Sequence, residues 1–301
     1  MSRRKKIIIV GGVAGGASAA ARARRLSEDA EIIIFERGQY VSFANCGLPY
    51  HIGGTIVERE KLLVQTAEKL HATLRIDIRV RHEVLSIGRE KRTVVVRNVE
   101  TGKESSHTYD NLVLSPGAEP IRPPIPGIEN DRVLTLRNMA DMDAINRLLE
   151  GDTLTGNRSN RAVVIGGGYI GLEMVEALCN RGLNVTLIEL ADQVMGTADP
   201  EMATPLHQEL SLHGVDFRLG TSVTEFKQSG DGLNVVLDTG ETISYELAVL
   251  AIGVRPEVKL AKDAGPTIGP LGGIVVDENM RTSDPHIFAA GDAVEVKNFV
   301  D

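Results

Sequence analysis

An α/β protein built from two Rossmann-type units, each with a small antiparallel β layer, is predicted by three features of this 301-residue sequence. A β-branched run ending in glycine occurs twice, as KKIIIVGG at 5–12 and RAVVIGGG at 161–168. Each run is followed by a helix-forming stretch and then by a second apolar strand, EIIIFERG at 31–38 and NVTLIEL at 184–190. Each half then continues through alternating segments to an apolar strand that ends in glycine, Gly117 or Gly253. Short continuous apolar runs bounded by glycine read as strands buried on both faces, and the intervening segments have the length and composition of helices. The separation of the two copies is far too large for a solenoid repeat.

Taken in order, Ala17–Leu26 reads as an alanine-rich helix after the first strand. The segments 82–98 and 101–117 read as antiparallel strands returning to a buried strand, Leu112–Ser115. The proline-rich stretch EPIRPPIPG at 119–127 is a rigid connector, and DTLTGNRSN at 152–160 is a polar loop. The second helix is expected to run to about Arg181, and the antiparallel layer of that half lies within 233–253.

Length is sufficient for two domains, and 42% apolar against 25% charged residues, with 31 glycines, is ordinary α/β composition. A net charge of -8 argues against nucleic-acid binding through overall positive potential. The basic start, Arg3–Lys6, reads as a solvated arm. No apolar run of signal-peptide or membrane-span length follows it, so a cytoplasmic protein without membrane contact is expected. The two cysteines, Cys46 and Cys179, are far apart in dissimilar contexts, and no zinc-type Cys/His spacing occurs, so neither a disulfide scaffold nor a metal site is expected.

A dinucleotide turn needs glycine for its tight bend, for close approach of backbone to pyrophosphate and for helix–strand packing. Gly166-Gly167-Gly168-Tyr169-Ile170-Gly171 carries the full pattern, and Glu189 ends the next strand eighteen residues later. A carboxylate there suits ribose hydroxyls and repels a 2′-phosphate, so NADH is favoured and NADPH remains open; the alternative for Glu189 is a solvated strand end. In the first half, Gly11, Gly12, Gly15 and Gly16 surround Val13, which stands where the middle glycine belongs. Glu36 follows Gly16 by twenty residues at a strand end, which restores the reading despite the imperfect fingerprint.

With these motifs in place, the chain resembles the pyridine nucleotide-disulfide oxidoreductases, and within them the single-cysteine branch of coenzyme A-disulfide reductases, coenzyme A persulfide reductases and NADH oxidases. TSDPHIFAAGD at 282–292 resembles the family's second FAD signature, and SPG at 115–117 and AIGVRP at 251–256 resemble its crossover strands. The resemblance implies an FAD domain, 1–119 and 254–301, interrupted by an NAD(P) domain, 120–253. It implies FAD contacts at Gly11, Gly12, Gly15, Gly16, Glu36, Arg37, Val84, Ser115, Pro116, Gly117 and Asp292, with Arg137 as a flavin-side arginine. Nicotinamide-cofactor contacts are implied at Gly166, Gly168, Tyr169, Ile170, Gly171, Glu189 and Gly253.

SFANCGLPYHIGG at 42–54 resembles the coenzyme A-disulfide reductase motif. Pro49 suggests a short helix starting near Cys46, whose N-terminal amides would favour the thiolate. Without a partner cysteine nearby, Cys46 would cycle through a mixed disulfide, persulfide or sulfenic acid. Cys179, inside the second helix, reads as core packing. Arg22 and Arg25 share a helix face, with Arg24 adding charge nearby, and the resemblance implies coenzyme A contacts at Ser18, Arg22, Arg25, Ser42 and Asn45; the alternative is ordinary solvated charge. His51 and His71 read as structural or solvent-facing.

The expected activity is reduction of coenzyme A disulfide or persulfide by NAD(P)H through FAD and Cys46. One rival is an NADH oxidase or peroxidase using a sulfenic acid. The other is a cofactor-binding or redox-sensing module without turnover, because the sequence stops at Asp301 whereas the family continues into a C-terminal dimerisation domain. The resemblance implies homodimers for full-length relatives and keeps a monomer open for this chain.

Overall fold

The structure, a computed structural model, describes residues 4–151, 160–230 and 232–296. The chain divides into two compact units: one of residues 1–44, 63–119 and 255–301, the other of 45–62 and 120–254.

The first unit is built on a five-stranded parallel sheet with strands in the order Ile287–Ala289, Asn111–Leu114, Lys6–Val10, Glu31–Glu36, Asp77–Val80. Register is set by the pairing of Lys6 with Glu31 through to Val10 with Phe35. Ile8, Ile9, Ile32, Ile33 and Ile34 are all buried, because both faces of a parallel sheet are covered and alternation gives way to continuous apolar runs. One face packs Ile9, Ile32 and Ile34 against Ala20 of the helix Ala14–Leu26. The other packs Ile8, Val10, Ile33 and Phe35 against Val84, Val94 and Val96 of the antiparallel strands His82–Gly88 and Thr93–Asn98, beside which lies Glu104–Thr108.

The second unit repeats this plan, with parallel strands in the order Asp216–Arg218, Asn184–Ile188, Arg161–Ile165, Leu247–Leu250, Val133–Leu134. Met174, Val175 and Leu178 of the helix Tyr169–Asn180 are buried on it. Its antiparallel layer, Val223–Ser229, Gly232–Leu237 and Thr242–Tyr245, contributes Phe226, Val235 and Tyr245 to a core with Val163 and Ile188. The sheets differ in where their outermost strand comes from. In the first unit it follows the Rossmann strands in sequence, and in the second it precedes them.

Several expectations shift. The first helix begins at Ala14, not Ala17, because Gly15 and Gly16 lie in its first turn. The returning strand is Asn111–Leu114, one residue earlier than expected. Around the cysteine, Asn45–Gly47 forms a 3-10 turn and the helix itself is Leu48–Ile52, with Pro49 in its first turn. The stretch 45–62 was expected with the first domain, yet it groups compactly with the second unit. Gly53 lies so close to the helix Tyr169–Asn180 that a Cβ there would stand 3.0 Å from Ala177 Cα. Arg181 donates to the Ile52 carbonyl at 3.1 Å, and Arg59 forms a two-pronged ion pair with Asp143 at 2.9 and 2.7 Å. The polar loop read at 152–160 and the start of the basic arm fall, but for Asn160 and Arg4 onward, outside the described residues. No helix among the described residues is long and apolar enough to cross a membrane.

Candidate functional site

The two glycine turns are near-copies in atomic detail. Gly11 and Gly166 carry φ of 90° and 105°, a left-handed conformation natural to glycine. A Cβ on Gly11 would fall 2.1 Å from the Ser115 carbonyl oxygen, and one on Gly166 would fall 2.4 Å from that of Ala251. At the last glycine the clash is harder still, with Gly11 O 1.8 Å from a Cβ on Gly16 and Gly166 O 1.9 Å from one on Gly171. The second glycine is required by a valine: Val41 lies 2.6 Å from a Cβ on Gly12, and Val194 lies 2.9 Å from one on Gly167. The third position is different. A Cβ on Gly168 would meet no protein atom within 4 Å, so the fold tolerates a side chain there, and Val13 occupies that place in the first unit. The apparent defect in the first fingerprint thus falls at the one position the protein's own packing leaves free.

The carboxylates close the same pattern. Glu36 Oε2 accepts from Gly12 N at 2.7 Å and its Oε1 from Gly38 N at 2.6 Å. Glu189 Oε2 accepts from Gly167 N at 2.5 Å and its Oε1 from Ala191 N at 2.8 Å. Beyond each glutamate the chain bends back, so that Ser42 N donates to Gly12 O and Met195 N to Gly167 O. Ser42 and Met195 have φ of 46° and 50°, a conformation uncommon for residues with a side chain. Val41, Val194 and this bend were not foreseen from the sequence; the signal was there in the equal spacing of Glu36 to Val41 and Glu189 to Val194.

Three stretches of the first unit meet at its turn. The Ser115 hydroxyl donates to the Ala290 carbonyl at 2.9 Å, and a Cβ on Gly15 would stand 2.4 Å from that hydroxyl and 3.1 Å from that carbonyl. Asp292, two residues on, is exposed, and Pro116 and Gly117 are partly buried. Gly117 and Gly253 both have positive φ, 78° and 113°, where their strands leave the sheets. Arg37 is held by Glu257 through two hydrogen bonds, 2.8 and 2.7 Å. Val84 turns its side chain into the core, and the strand carries a bulge between Val84 and Ser86.

These residues fit dinucleotides. Neither the helix Ala14–Leu26 nor Tyr169–Asn180 has a side-chain cap or an acidic residue in its first turn, so their N-terminal amides remain available to an anion. Tyr169 is 69% exposed at the second turn, with Ile170 beside it.

Cys46 is exposed, whereas Cys179 is half-buried and burial pushes its thiol upward. Asn45 Nδ2 donates to the carbonyl of Arg137 at 3.4 Å, and Arg137 N donates to Asp141, so Arg137 belongs to the second unit with the cysteine stretch. On the first helix Ser18, Arg22 and Arg25 are exposed at four- and three-residue spacing, one face of the helix. Arg24 is a correction to the expected charge cluster. It is 8% exposed and donates to the carbonyls of Leu74, Ser27, Glu28 and Arg75 at 2.7–3.0 Å, closing the C-terminal ends of its own helix and of the helix Ala67–Leu74. His51 and His71 each bond a carbonyl five residues on, Ile56 and Ile76, as expected of structural histidines.

Two glycine-turn units, each with a carboxylate at the second strand and an uncapped helix N-terminus, define a protein with two dinucleotide-binding folds. Residues 5–300 match the family described as pyridine nucleotide-disulphide oxidoreductase, and the chain belongs to that family of FAD-binding, NAD(P)H-dependent enzymes. A coenzyme A disulfide reductase of Staphylococcus aureus (strain JH9) is 36% identical over 269 residues, which is 89% of this chain and 59% of that protein. Among solved structures, reduced Bacillus anthracis CoADR-RHD superposes with a TM-score of 0.93 at 50% identity, covering 99% of this chain and 52% of the other. An NAD-dependent persulfide reductase from A. fulgidus gives 0.92 at 37% identity, covering 98% and 54%. The chain therefore spans between half and three fifths of the length of these relatives.

Proposed function

We propose that this chain is an FAD-dependent NAD(P)H oxidoreductase that reduces coenzyme A disulfide or coenzyme A persulfide through Cys46. The observation that carries the proposal is the contrast between its two thiols: Cys46 is exposed beside a helix start, and Cys179 is half-buried with its thiol pushed upward. Only a thiolate attacks sulfur, so Cys46 is the nucleophile of the pair.

In this reading the first unit binds FAD through Gly11, Gly12, Gly15, Gly16, Glu36, Arg37, Val84, Ser115, Pro116, Gly117 and Asp292. The second binds the nicotinamide cofactor through Gly166, Gly168, Tyr169, Ile170, Gly171, Glu189 and Gly253, and Arg137 keeps the role of flavin-side arginine that the family resemblance implies. FAD, when bound, supplies passage of two electrons from the reduced nicotinamide to sulfur. The chain's own residues do the rest. The helix amides and glycine backbone receive the pyrophosphates, and each glutamate orients a turn while keeping acceptor capacity for ribose hydroxyls. Ser18, Arg22, Arg25, Ser42 and Asn45 hold the coenzyme A moiety, with Arg22 and Arg25 suited to its phosphates. The Cys46 thiolate attacks one sulfur of coenzyme A disulfide, forming a Cys46 mixed disulfide and releasing one coenzyme A thiolate. Two electrons then restore the Cys46 thiolate and release the second coenzyme A. With a persulfide, the group released is sulfide and the remaining thiol is coenzyme A. A cytoplasmic location, in which both thiols stay reduced, is part of the proposal.

Anaerobic reduction of the purified protein with NADH, followed by coenzyme A disulfide, coenzyme A persulfide or oxygen in separate samples, tests it. Flavin reoxidation by a coenzyme A species that disappears in Cys46→Ser is the expected result. Reoxidation by oxygen alone would replace the proposal with an oxidase, and no reoxidation by any acceptor would leave a binding module.

A further inference from the structure

Glu257 was not foreseen as a site residue, yet it lies in one of the three sequence segments of the first unit and bonds to the other two. Its carboxylate takes both Nη1 and Nη2 of Arg37, 220 positions away, at 2.8 and 2.7 Å. Its backbone N–H donates to the Gly117 carbonyl at 2.9 Å. Arg37 directly follows Glu36, the residue that holds the Gly12 and Gly38 amides. Arg37 and Glu257 side chains are 54% and 22% exposed, so as a surface ion pair their contribution to stability is small. What a two-pronged pair does supply is orientation: it fixes the plane of the guanidinium and neutralises its charge.

A guanidinium whose charge is balanced by a carboxylate is a weaker phosphate ligand, but its flat face remains available to stack on a planar ring. We infer that Glu257 is a positioning residue that orients Arg37 to stack against the adenine base of the dinucleotide bound by the first unit. The inference rests on the FAD reading of that unit. Glu257 acts through Arg37 and does not itself meet the cofactor.

The test compares FAD with FMN, which lacks the adenosine half, by flavin-fluorescence titration of the deflavinated full chain. The variants are Glu257→Gln, Arg37→Met, Arg37→Lys and the double variant Glu257→Gln/Arg37→Met. Losing one well-formed charged pair should weaken FAD binding by roughly three- to tenfold in Glu257→Gln while FMN affinity holds. Arg37→Lys should fail to rescue, because an ammonium keeps the charge and loses the plane, and the double variant should match Arg37→Met. Unchanged FAD affinity in Glu257→Gln, additive losses in the double variant, or equal losses of FAD and FMN would each overturn the inference alone, the last by showing a merely structural role. Wild-type protein that binds neither flavin would instead overturn the FAD reading, and the inference with it.

Discussion

The amide of Gly167 donates to Glu189 Oε2 at 2.5 Å, and the same bond joins Gly12 to Glu36 at 2.7 Å in the other unit. Each ties the end of the second strand to the turn after the first, so a residue read as a ribose ligand is also part of the scaffold of the turn. If the second unit binds a nicotinamide cofactor as proposed, Glu189, so fixed, sets its negative charge against any 2′-phosphate.

Replacing Glu189 by Gln therefore removes the charge and keeps an acceptor for one of the two amides. The ratio of NADPH to NADH dissociation constants is expected to fall by roughly tenfold, because the repulsion of two nearby anions is lost. Titration with each reduced nicotinamide measures it. An unchanged ratio would deny Glu189 a role in choosing the cofactor.

Adding a methyl group separates folding from binding in the second turn. Gly171→Ala puts a Cβ 1.9 Å from Gly166 O, an overlap relieved only by moving backbone, and should cost at least about 2 kcal/mol of stability. Gly168→Ala meets no protein atom within 4 Å and should leave thermal unfolding nearly unchanged while weakening nicotinamide-cofactor binding. Equal melting temperatures for the two variants would contradict the geometry.

Arg22, Arg24 and Arg25 on the first helix should divide sharply. Arg24→Met leaves four carbonyls without their donor and is expected to destabilise the protein by about 2–4 kcal/mol, read as a lower urea midpoint. Arg22→Ala and Arg25→Ala change exposed side chains and should shift stability by less than about 0.5 kcal/mol. If they bind coenzyme A, those two variants raise KM for its disulfide instead.

Acid should act on the first unit through Asp284. Burial would raise its carboxyl, but hydrogen bonds from His286 N at 2.9 Å and Arg89 Nε at 2.6 Å outweigh that and hold it below the ordinary value of 3.8. A carboxyl whose folded value is depressed stabilises the fold above its unfolded value, and that stabilisation is lost as pH falls through the folded one. Asp284→Asn should therefore be less stable than wild type at neutral pH, with the gap closing below about pH 4. Urea unfolding of both proteins along a pH series provides the check; a constant gap would place the effect in packing rather than charge.

Much of this protein was written locally. Ile7–Val10 and Ile32–Phe35 are continuous apolar runs, and such runs next to a glycine turn and an alanine-rich helix specify a buried parallel strand wherever they occur. The family motifs, the carboxylates Glu36 and Glu189, and the isolation of Cys46 were legible for the same reason, since each depends on residues near one another in the chain. Tertiary structure alone determined what rests on distant partners. Arg24 and Arg25 are neighbours of identical chemistry, yet one is buried by carbonyls of residues 74 and 75 and the other faces solvent. Glu257 lies 220 positions from the arginine it holds, and nothing in its own segment announces the pairing. The stretch 45–62 sits between segments of the first unit in sequence but packs on the helix Tyr169–Asn180, because Gly53 and Ile52 find their partners at Ala177 and Arg181. Local pattern is set by backbone geometry and hydrophobic period, whereas these outcomes follow from which surfaces meet once the sheets have formed.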